Sequence, residues 1–172
     1  MGSTVVSGAG YRAGELGHVP VVRPAAHGAM RAVRGARLVL PDRVVDGWLN
    51  IDGDVIGAVE DCAAPVAAHD LDGGYLVPGY IDVHCHGGAG ADFASADADQ
   101  LVAASAFHAR HGSAHQLASL VTAPIADLCV QLEALADTIE SGKTNIRGVH
   151  LEGPFLSHAR CGAQNPVHLM QP

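Results

Sequence analysis

The chain has 172 residues, enough for one domain with a substantial core or for a small domain and part of another. Its 18 acidic and 10 basic residues give a formal net charge of −8, which argues against a general nucleic-acid-binding protein. No apolar run approaches the roughly 20 residues that a membrane-spanning helix needs, and no secretory signal is recognisable. We expect a cytoplasmic protein, in which the four widely spaced cysteines, which form no CxxC pair, are most simply reduced thiols.

The first third of the chain predicts β structure after an irregular start. Residues 1–29 carry Gly, Ala, Val and Pro without a stable period, which predicts a poorly ordered extension. Over residues 30–76, short apolar runs alternate with Gly, Asp and Pro. This punctuation is typical of short strands joined by tight turns, so we predict a small β domain segment here. Trp48 lies within one of these runs, and we expect it in the core.

Residues 76–93, LVPGYIDVHCHGGAGADF, carry a chemically distinctive pattern. An apolar strand pattern over residues 76–84 leads into Asp82, His84 and His86, and a glycine-rich turn follows. Side chains two apart share one face of a strand, so these three should project together. Because neutral imidazole is the commonest protein metal ligand, His84 and His86 form a candidate chelating pair. Two surface histidines without a ligand remain the alternative.

The remaining sequence alternates helical and strand patterns. We predict a helix over residues 95–110 with Ser95 as its N-cap, a strand over 114–121, a helix from Pro124 to residues 141–142, and a strand over 145–151. Cys129 falls in the expected buried stripe of the second helix. Strands that alternate with helices predict a parallel α/β arrangement with right-handed crossovers.

Three further histidines lie near the end of the first predicted helix. His108, His111 and His115 are close in sequence, which could indicate a metal site. A histidine cation at a helix C-terminus is also favoured by the helix dipole. We therefore expect a structural role for these three rather than ligation.

A second polar pattern ends the last predicted strand. In IRGVHLEGPF, His150 and Glu152 share a face just before Gly153 and Pro154 stop the strand. Functional residues of α/β sheets and barrels lie at the carboxyl ends of the strands. His84, His86 and Glu152 together offer two nitrogens and an oxygen, a set that suits zinc and related divalent metals.

Two residues accompany these candidate ligands on the same strand faces. Asp82 and His150 are candidates for residues that orient a metal ligand without binding the metal themselves. For Asp82, capping of local amides is an equally good expectation. For His150, a role outside the site stays open.

Three segments resemble a known enzyme family. They are similar to segments of the N-acetylglucosamine-6-phosphate deacetylases of the amidohydrolase superfamily. The three segments are PGYIDVHCHGG, GVHLEGPF and GAQNP, the last over residues 162–166. HxH after the first barrel strand is common to the superfamily, whereas HLEGPF is more specific to the deacetylases. The resemblance implies a partial (β/α)8 barrel of about three strands over residues 77–172, preceded by a small β-sandwich-type segment. Since a complete barrel needs about 250 residues, we expect the chain to be truncated.

The resemblance also implies roles for particular residues. Glu152 would be the central metal ligand, with His84 and His86 holding a second metal, zinc being the expected ion. The family's further histidine ligands and its general-base aspartate are expected beyond Pro172. The positions that match the family's sugar-contacting loop are Gly162, Ala163 and Asn165, whereas Gln164 departs from the histidine that is frequent there.

The implied activity is hydrolysis of N-acetylglucosamine 6-phosphate to glucosamine 6-phosphate and acetate, in amino-sugar catabolism. The implied partners are this small-molecule substrate and a second subunit in a homodimer, without nucleic acid or membrane. Another amidohydrolase that acts on cyclic amides is the alternative within the enzymes. A non-catalytic truncated remnant that at most binds metal is the alternative outside them.

Overall fold

The computed structural model describes residues 5–8, 21–22, 31–52 and 55–172. The chain divides into two compact units, Met1–Tyr80 and Ile81–Pro172. The first unit consists of short strands, as its Gly, Asp and Pro punctuation predicts. In chain order these strands are β1 (Val5–Gly8), β2 (Val21–Val22), β3 (Arg31–Arg34), β4 (Arg37–Val39), β5 (Val44–Asp46), β6 (Trp48–Asp52), β7 (Val55–Glu60), β8 (His69–Asp70) and β9 (Tyr75–Pro78).

Two sheets build the first unit. One has the strand order β2-β1-β9-β4-β5 and the other the order β7-β6-β3-β8. Both contribute to one hydrophobic cluster, in which Val33 and Leu49 come from the second sheet and Leu38 and Leu76 from the first. Trp48 is half-buried at the start of β6, and its indole nitrogen is buried without a hydrogen bond to any described residue.

Most of the extension predicted over residues 1–29 lies outside the described residues. Its described parts are strands, because β1 pairs antiparallel with both β2 and β9. The sequence pattern did not predict these strands.

The second unit is an α/β structure. Its main sheet has the order β10-β13-β14, and β13 and β14 pair in parallel across a helical crossover. The elements are β10 (Tyr80–Cys85), a small hairpin of β11 (Gly87–Gly88) and β12 (Ala91–Asp92), α1 (Ala98–Arg110), β13 (Ser113–Val121), α2 (Ile125–Glu140), β14 (Ile146–Glu152) and two 3-10 helices, His158–Arg160 and Pro166–His168.

The core of this unit lies where α1 and α2 contribute buried leucines beside residues of the main sheet. Leu101 of α1, Leu120 of β13 and Leu135 of α2 are fully buried within it, together with Phe93 and Ile146. The alternation along β13 explains the arrangement, since Ala114, Gln116, Ala118 and Leu120 are all buried at every second position.

Several local predictions need correction. The run over residues 76–84 is two strands rather than one, because it breaks at Gly79 after Pro78, which has no backbone N–H to donate. The first helix begins at Ala98, and its N-cap is Asp97, whose carboxylate accepts from the Asp99 amide at 2.9 Å. Ser95 lies two residues earlier and accepts from the Asp97 amide.

The buried stripe of α2 also differs from its prediction. Cys129 is exposed, and the buried positions of the helix are Leu128, Leu135 and Thr138. A periodic apolar pattern locates the stripe to within one residue, and here the stripe lies one residue before Cys129.

Candidate metal centre

The two predicted polar patterns meet in the structure. His84 lies near the end of β10, His86 follows that strand directly, and Glu152 is the last residue of β14. Although β13 separates the two strands, the three side chains reach one another at this edge of the sheet. The carboxyl ends of the strands therefore build the site, as the strand-end positions predict.

The donor atoms of these side chains form a compact triangle. The Nε2 atoms of His84 and His86 are 3.0 Å apart. The Oε2 atom of Glu152 is 3.4 Å from Nε2 of His84 and 3.2 Å from Nε2 of His86. All three side chains are partly exposed, so the triangle is open to a ligand from solvent.

These separations match the spacing of donors around a divalent cation. Ligands at about 2.0–2.1 Å lie about 3.3–3.4 Å apart around a tetrahedral ion. Around an octahedral ion at about 2.1 Å, neighbouring ligands lie about 3.0 Å apart. The observed range of 3.0–3.4 Å spans both values, so the donor set fits a divalent ion without selecting zinc over others.

His150 lies beside this triangle but outside it. Its ring is 4.9 Å from the ring of His84 in an edge-to-face arrangement, and its Nδ1 atom lies 3.1 Å from Oγ of Ser119. Ser119 also accepts a hydrogen bond from the backbone amide of Cys85. Sequence reasoning missed Ser119, since a serine within a strand pattern gives no signal of its neighbours.

Asp82 does not join the triangle. One of its carboxylate oxygens accepts from the His84 amide at 3.1 Å, which is the amide capping expected as the alternative. Its carboxylate lies instead with Cys85 and His108, in a second group whose potential ligand atoms fall within 4.8 Å of one another.

In this second group, His108 contacts the glycine turn that follows the histidine pair. Its Nε2 atom is 2.8 Å from the carbonyl oxygen of Gly87 and 3.2 Å from Sγ of Cys85. A side chain at Gly88 would collide with the imidazole of His108, so a larger residue there would have to displace His108. Burial raises the pKa of the Cys85 thiol, the hydrogen bond to Gly87 opposes this, and the charge of Asp82 adds to the increase.

The other two histidines near α1, His111 and His115, belong to neither group of potential ligands. Nδ1 of His111 lies 2.7 Å from the carbonyl oxygen of Phe107 at the helix end. Nδ1 of His115 accepts from the guanidinium of Arg147 at 3.2 Å.

Thr122, immediately after β13, ties Glu152 to the loop over residues 161–165. The hydroxyl of Thr122 donates to the carbonyl oxygen of Glu152 at 3.0 Å, and its amide donates to the side-chain oxygen of Gln164 at 2.7 Å. Gly153 has a positive φ of 113°, and a side chain there would overlap the Thr122 hydroxyl. Thr122 therefore fixes the backbone where Glu152 joins Gly153.

The predicted substrate-contacting residues lie on that loop. Gly162 and Ala163 are exposed, whereas the side-chain oxygen of Asn165 accepts from the Val167 amide and begins the last 3-10 helix. Among the described residues, no helix has the length and apolar character of a membrane span.

Comparison with known proteins confirms the resemblance to the deacetylases. An N-acetylgalactosamine-6-phosphate deacetylase of Escherichia coli O157:H7 is 34% identical over 144 residues, which are 80% of this chain and 37% of that protein. An N-acetylglucosamine-6-phosphate deacetylase of Bos taurus is 34% identical over 146 residues, 81% of this chain and 35% of the relative. No protein-family model matches the sequence.

Solved structures give the same relationship. An N-acetyl-D-glucosamine-6-phosphate deacetylase of Mycobacterium smegmatis, in complex with N-acetyl-D-glucosamine-6-phosphate, matches with a TM-score of 0.75 and 40% identity. The match covers 84% of this chain and 38% of that structure. This chain thus spans a little over a third of the length of the relatives that it matches.

Proposed function

We propose that the protein carrying this sequence hydrolyses the acetamide of N-acetylglucosamine 6-phosphate to glucosamine 6-phosphate and acetate, with a divalent metal ion. The observation that carries this proposal is the convergence of His84, His86 and Glu152 at 3.0–3.4 Å, in a chain whose relatives are named as deacetylases of this substrate class.

The three donors have distinct roles in this proposal. The carboxylate of Glu152 is the shared ligand, because its Oε2 atom faces both imidazoles. His84 and His86 complete a metal position, and zinc suits their nitrogen donors. A bound divalent cation supplies Lewis acidity, which polarises an amide carbonyl and activates water.

The remaining residues hold these donors in place. Thr122 fixes the backbone at Glu152, and Asp82 fixes it at His84. The loop that contacts the sugar contains Gly162, Ala163 and Asn165, and Gln164 anchors that loop to Thr122. The general base is an aspartate that these 172 residues do not include.

Fold, assembly and location form part of the same proposal. Residues 77–172 contribute about three strands of a (β/α)8 barrel, and residues 30–76 contribute part of a small β-sandwich domain. The protein acts in the cytoplasm as a homodimer, on a small-molecule amino-sugar phosphate.

The test is acetate release by the purified, metal-loaded, full-length protein that contains these 172 residues and the expected aspartate. We expect metal-dependent turnover of N-acetylglucosamine 6-phosphate that is lost on chelation and restored by added metal. Glu152→Ala is the matched control, since it removes the shared ligand from a partly exposed position. A wild-type protein that binds metal yet releases no acetate would disprove the proposal.

N-acetylgalactosamine 6-phosphate is a second candidate substrate. A deacetylase of this epimer from Escherichia coli O157:H7 shares 34% identity with the chain. The two sugars differ only in the configuration of one hydroxyl, which the metal ligands do not contact in this proposal. Comparing kcat/KM for both epimers in the same assay decides between them.

A further inference from the structure

Ser119 occupies the centre of the sheet beneath the candidate metal centre. It lies on β13, the middle strand, and is completely buried. Its hydroxyl contacts both neighbouring strands, since it accepts from the Cys85 amide on β10 at 3.1 Å and lies 3.1 Å from Nδ1 of His150 on β14. One buried hydroxyl thus links the strand of the histidine pair to the strand of Glu152.

The hydrogen bonds of Ser119 determine which nitrogen of His150 carries the proton. A serine hydroxyl has one proton to donate and lone pairs that accept. Its oxygen already accepts from the Cys85 amide, and Nδ1 of His150 is the acceptor that it contacts within the described part of the chain. If Nδ1 carried the proton instead, the hydroxyl proton would be buried without a partner, which is unfavourable. The Ser119 proton therefore goes to Nδ1, and His150 carries its own proton on Nε2.

This tautomer leaves a hydrogen-bond donor on a ring that lies next to His84. The His150 ring lies against the ring of His84, at 4.9 Å, and is only partly buried. Across residues 31–52 and 55–172, Nε2 of His150 has no hydrogen-bond partner. The Nε2–H group is thus an unused donor beside the proposed metal ligands.

We propose that His150, held as its Nε2–H tautomer by Ser119, donates a hydrogen bond to the carbonyl oxygen of the substrate's acetamide. This inference rests on the proposed function, because amide hydrolysis places developing negative charge on that oxygen. A fixed N–H donor at such an oxygen stabilises the transition state more than the ground state. His150 is then a catalytic residue, and Ser119 is the positioning residue that sets its tautomer.

The tautomer is measured directly by nitrogen NMR of the protein labelled with 15N-histidine, with His150 assigned by its loss in His150→Gln. In the wild type, we expect an unprotonated Nδ1 and a protonated Nε2 for His150 at neutral pH. Ser119→Ala should allow both tautomers. A wild-type His150 protonated on Nδ1 would overturn the inference, even if Ser119→Ala does not fold.

A matched pair of substitutions tests the catalytic part. Asn at position 150 replaces Nδ1 but ends short of Nε2, whereas Gln carries an N–H to about the position of Nε2. We expect His150→Asn to lower kcat by about a hundredfold with little change in KM. His150→Gln should recover most of that loss.

The two proposals fail in different ways. Absence of turnover in the metal-loaded wild type would refute the proposed function, and with it the role of His150 toward the acetamide. Wild-type kcat in His150→Asn would refute the role of His150 alone and leave the deacetylase proposal standing.

Discussion

The two ends of the three-stranded sheet use polar side chains in opposite ways. At the end where β13 and β14 begin, Ser105, Gln116 and Asn145 are directed at one another, and the Ser105 hydroxyl donates to Asn145 at 2.5 Å. At the other end, His84, His86 and Glu152 also converge, but they are partly exposed and include only two imidazoles and one carboxylate.

The difference lies in how donors and acceptors balance. Asn145 has an amide group that donates to the Ser113 carbonyl and an oxygen that accepts from two neighbours, so the first cluster satisfies most of its own groups. The three groups at the other end mainly offer lone pairs to one another. A polar cluster that satisfies itself stabilises a fold, whereas one rich in unpaired acceptors is suited to bind a cation.

The largest expected effect is that of Glu152→Ala at the open end. Loss of the carboxylate that faces both imidazoles should remove most bound metal and reduce acetate release to background. The free energy of unfolding of the metal-free protein should change by no more than about 1 kcal/mol, because the side chain is partly exposed. Metal analysis by mass spectrometry and urea unfolding provide the two measurements. Full metal occupancy in the variant would show that Glu152 is not needed for metal binding.

The opposite result is expected for Asn145→Ala at the closed end. This change removes the acceptor oxygen that the buried side chains of Ser105 and Gln116 share. The free energy of unfolding should fall by about 1–3 kcal/mol. Metal content should stay at the wild-type level in protein that remains folded. Asn145→Asp is the matched control, since it keeps the oxygen but loses the amide that donates to Ser113. Loss of metal from folded Asn145→Ala would contradict the separation of the two ends.

The sequence predicts features that depend on neighbouring residues better than it predicts contacts between residues far apart in the chain. Strand periodicity and strand-end position predicted that His84, His86 and Glu152 share one site, because these rules depend on neighbours along the chain and on the α/β pattern. The contacts of Ser119, Thr122 and His108 were not predicted. Each joins residues 21 to 42 positions apart, and register and helix rotation decide such contacts. The extra strands β1 and β2 were missed for the same reason, since the pairing of β1 with β9 and of β2 with β1 leaves no local period.

Replacing either histidine should reduce the metal content less than replacing the carboxylate does. His84→Ala and His86→Ala each remove one imidazole while Glu152 remains. Because the resemblance implies that Glu152 also holds a second metal, each variant should lose about one equivalent of metal and retain the remainder. Chelator competition would show weakened binding rather than complete loss. If either variant lost all metal, as Glu152→Ala should, the carboxylate would not be the shared ligand.

The smallest effect concerns Cys85, which lies between the two histidines yet faces the core. Its pKa is raised, mainly by burial, so the folded chain keeps the thiol proton to higher pH than the unfolded chain does. The sign of the linkage follows directly. The contribution to stability is complete below the ordinary thiol pKa of about 8.5 and is lost as pH rises through the higher pKa of the folded state. Replacing Cys85 with Ala should therefore flatten the decline of stability on going from pH 8 to pH 10, a decline that the exposed Cys129→Ala should leave unchanged.

Iodoacetamide labelling followed by peptide mapping provides the second measurement, because alkylation needs an accessible thiolate. Cys129 should react well before Cys85. Equal rates for the two cysteines would show that the end of β10 opens to solvent, and that the division between a closed core and an open metal centre does not hold at this strand.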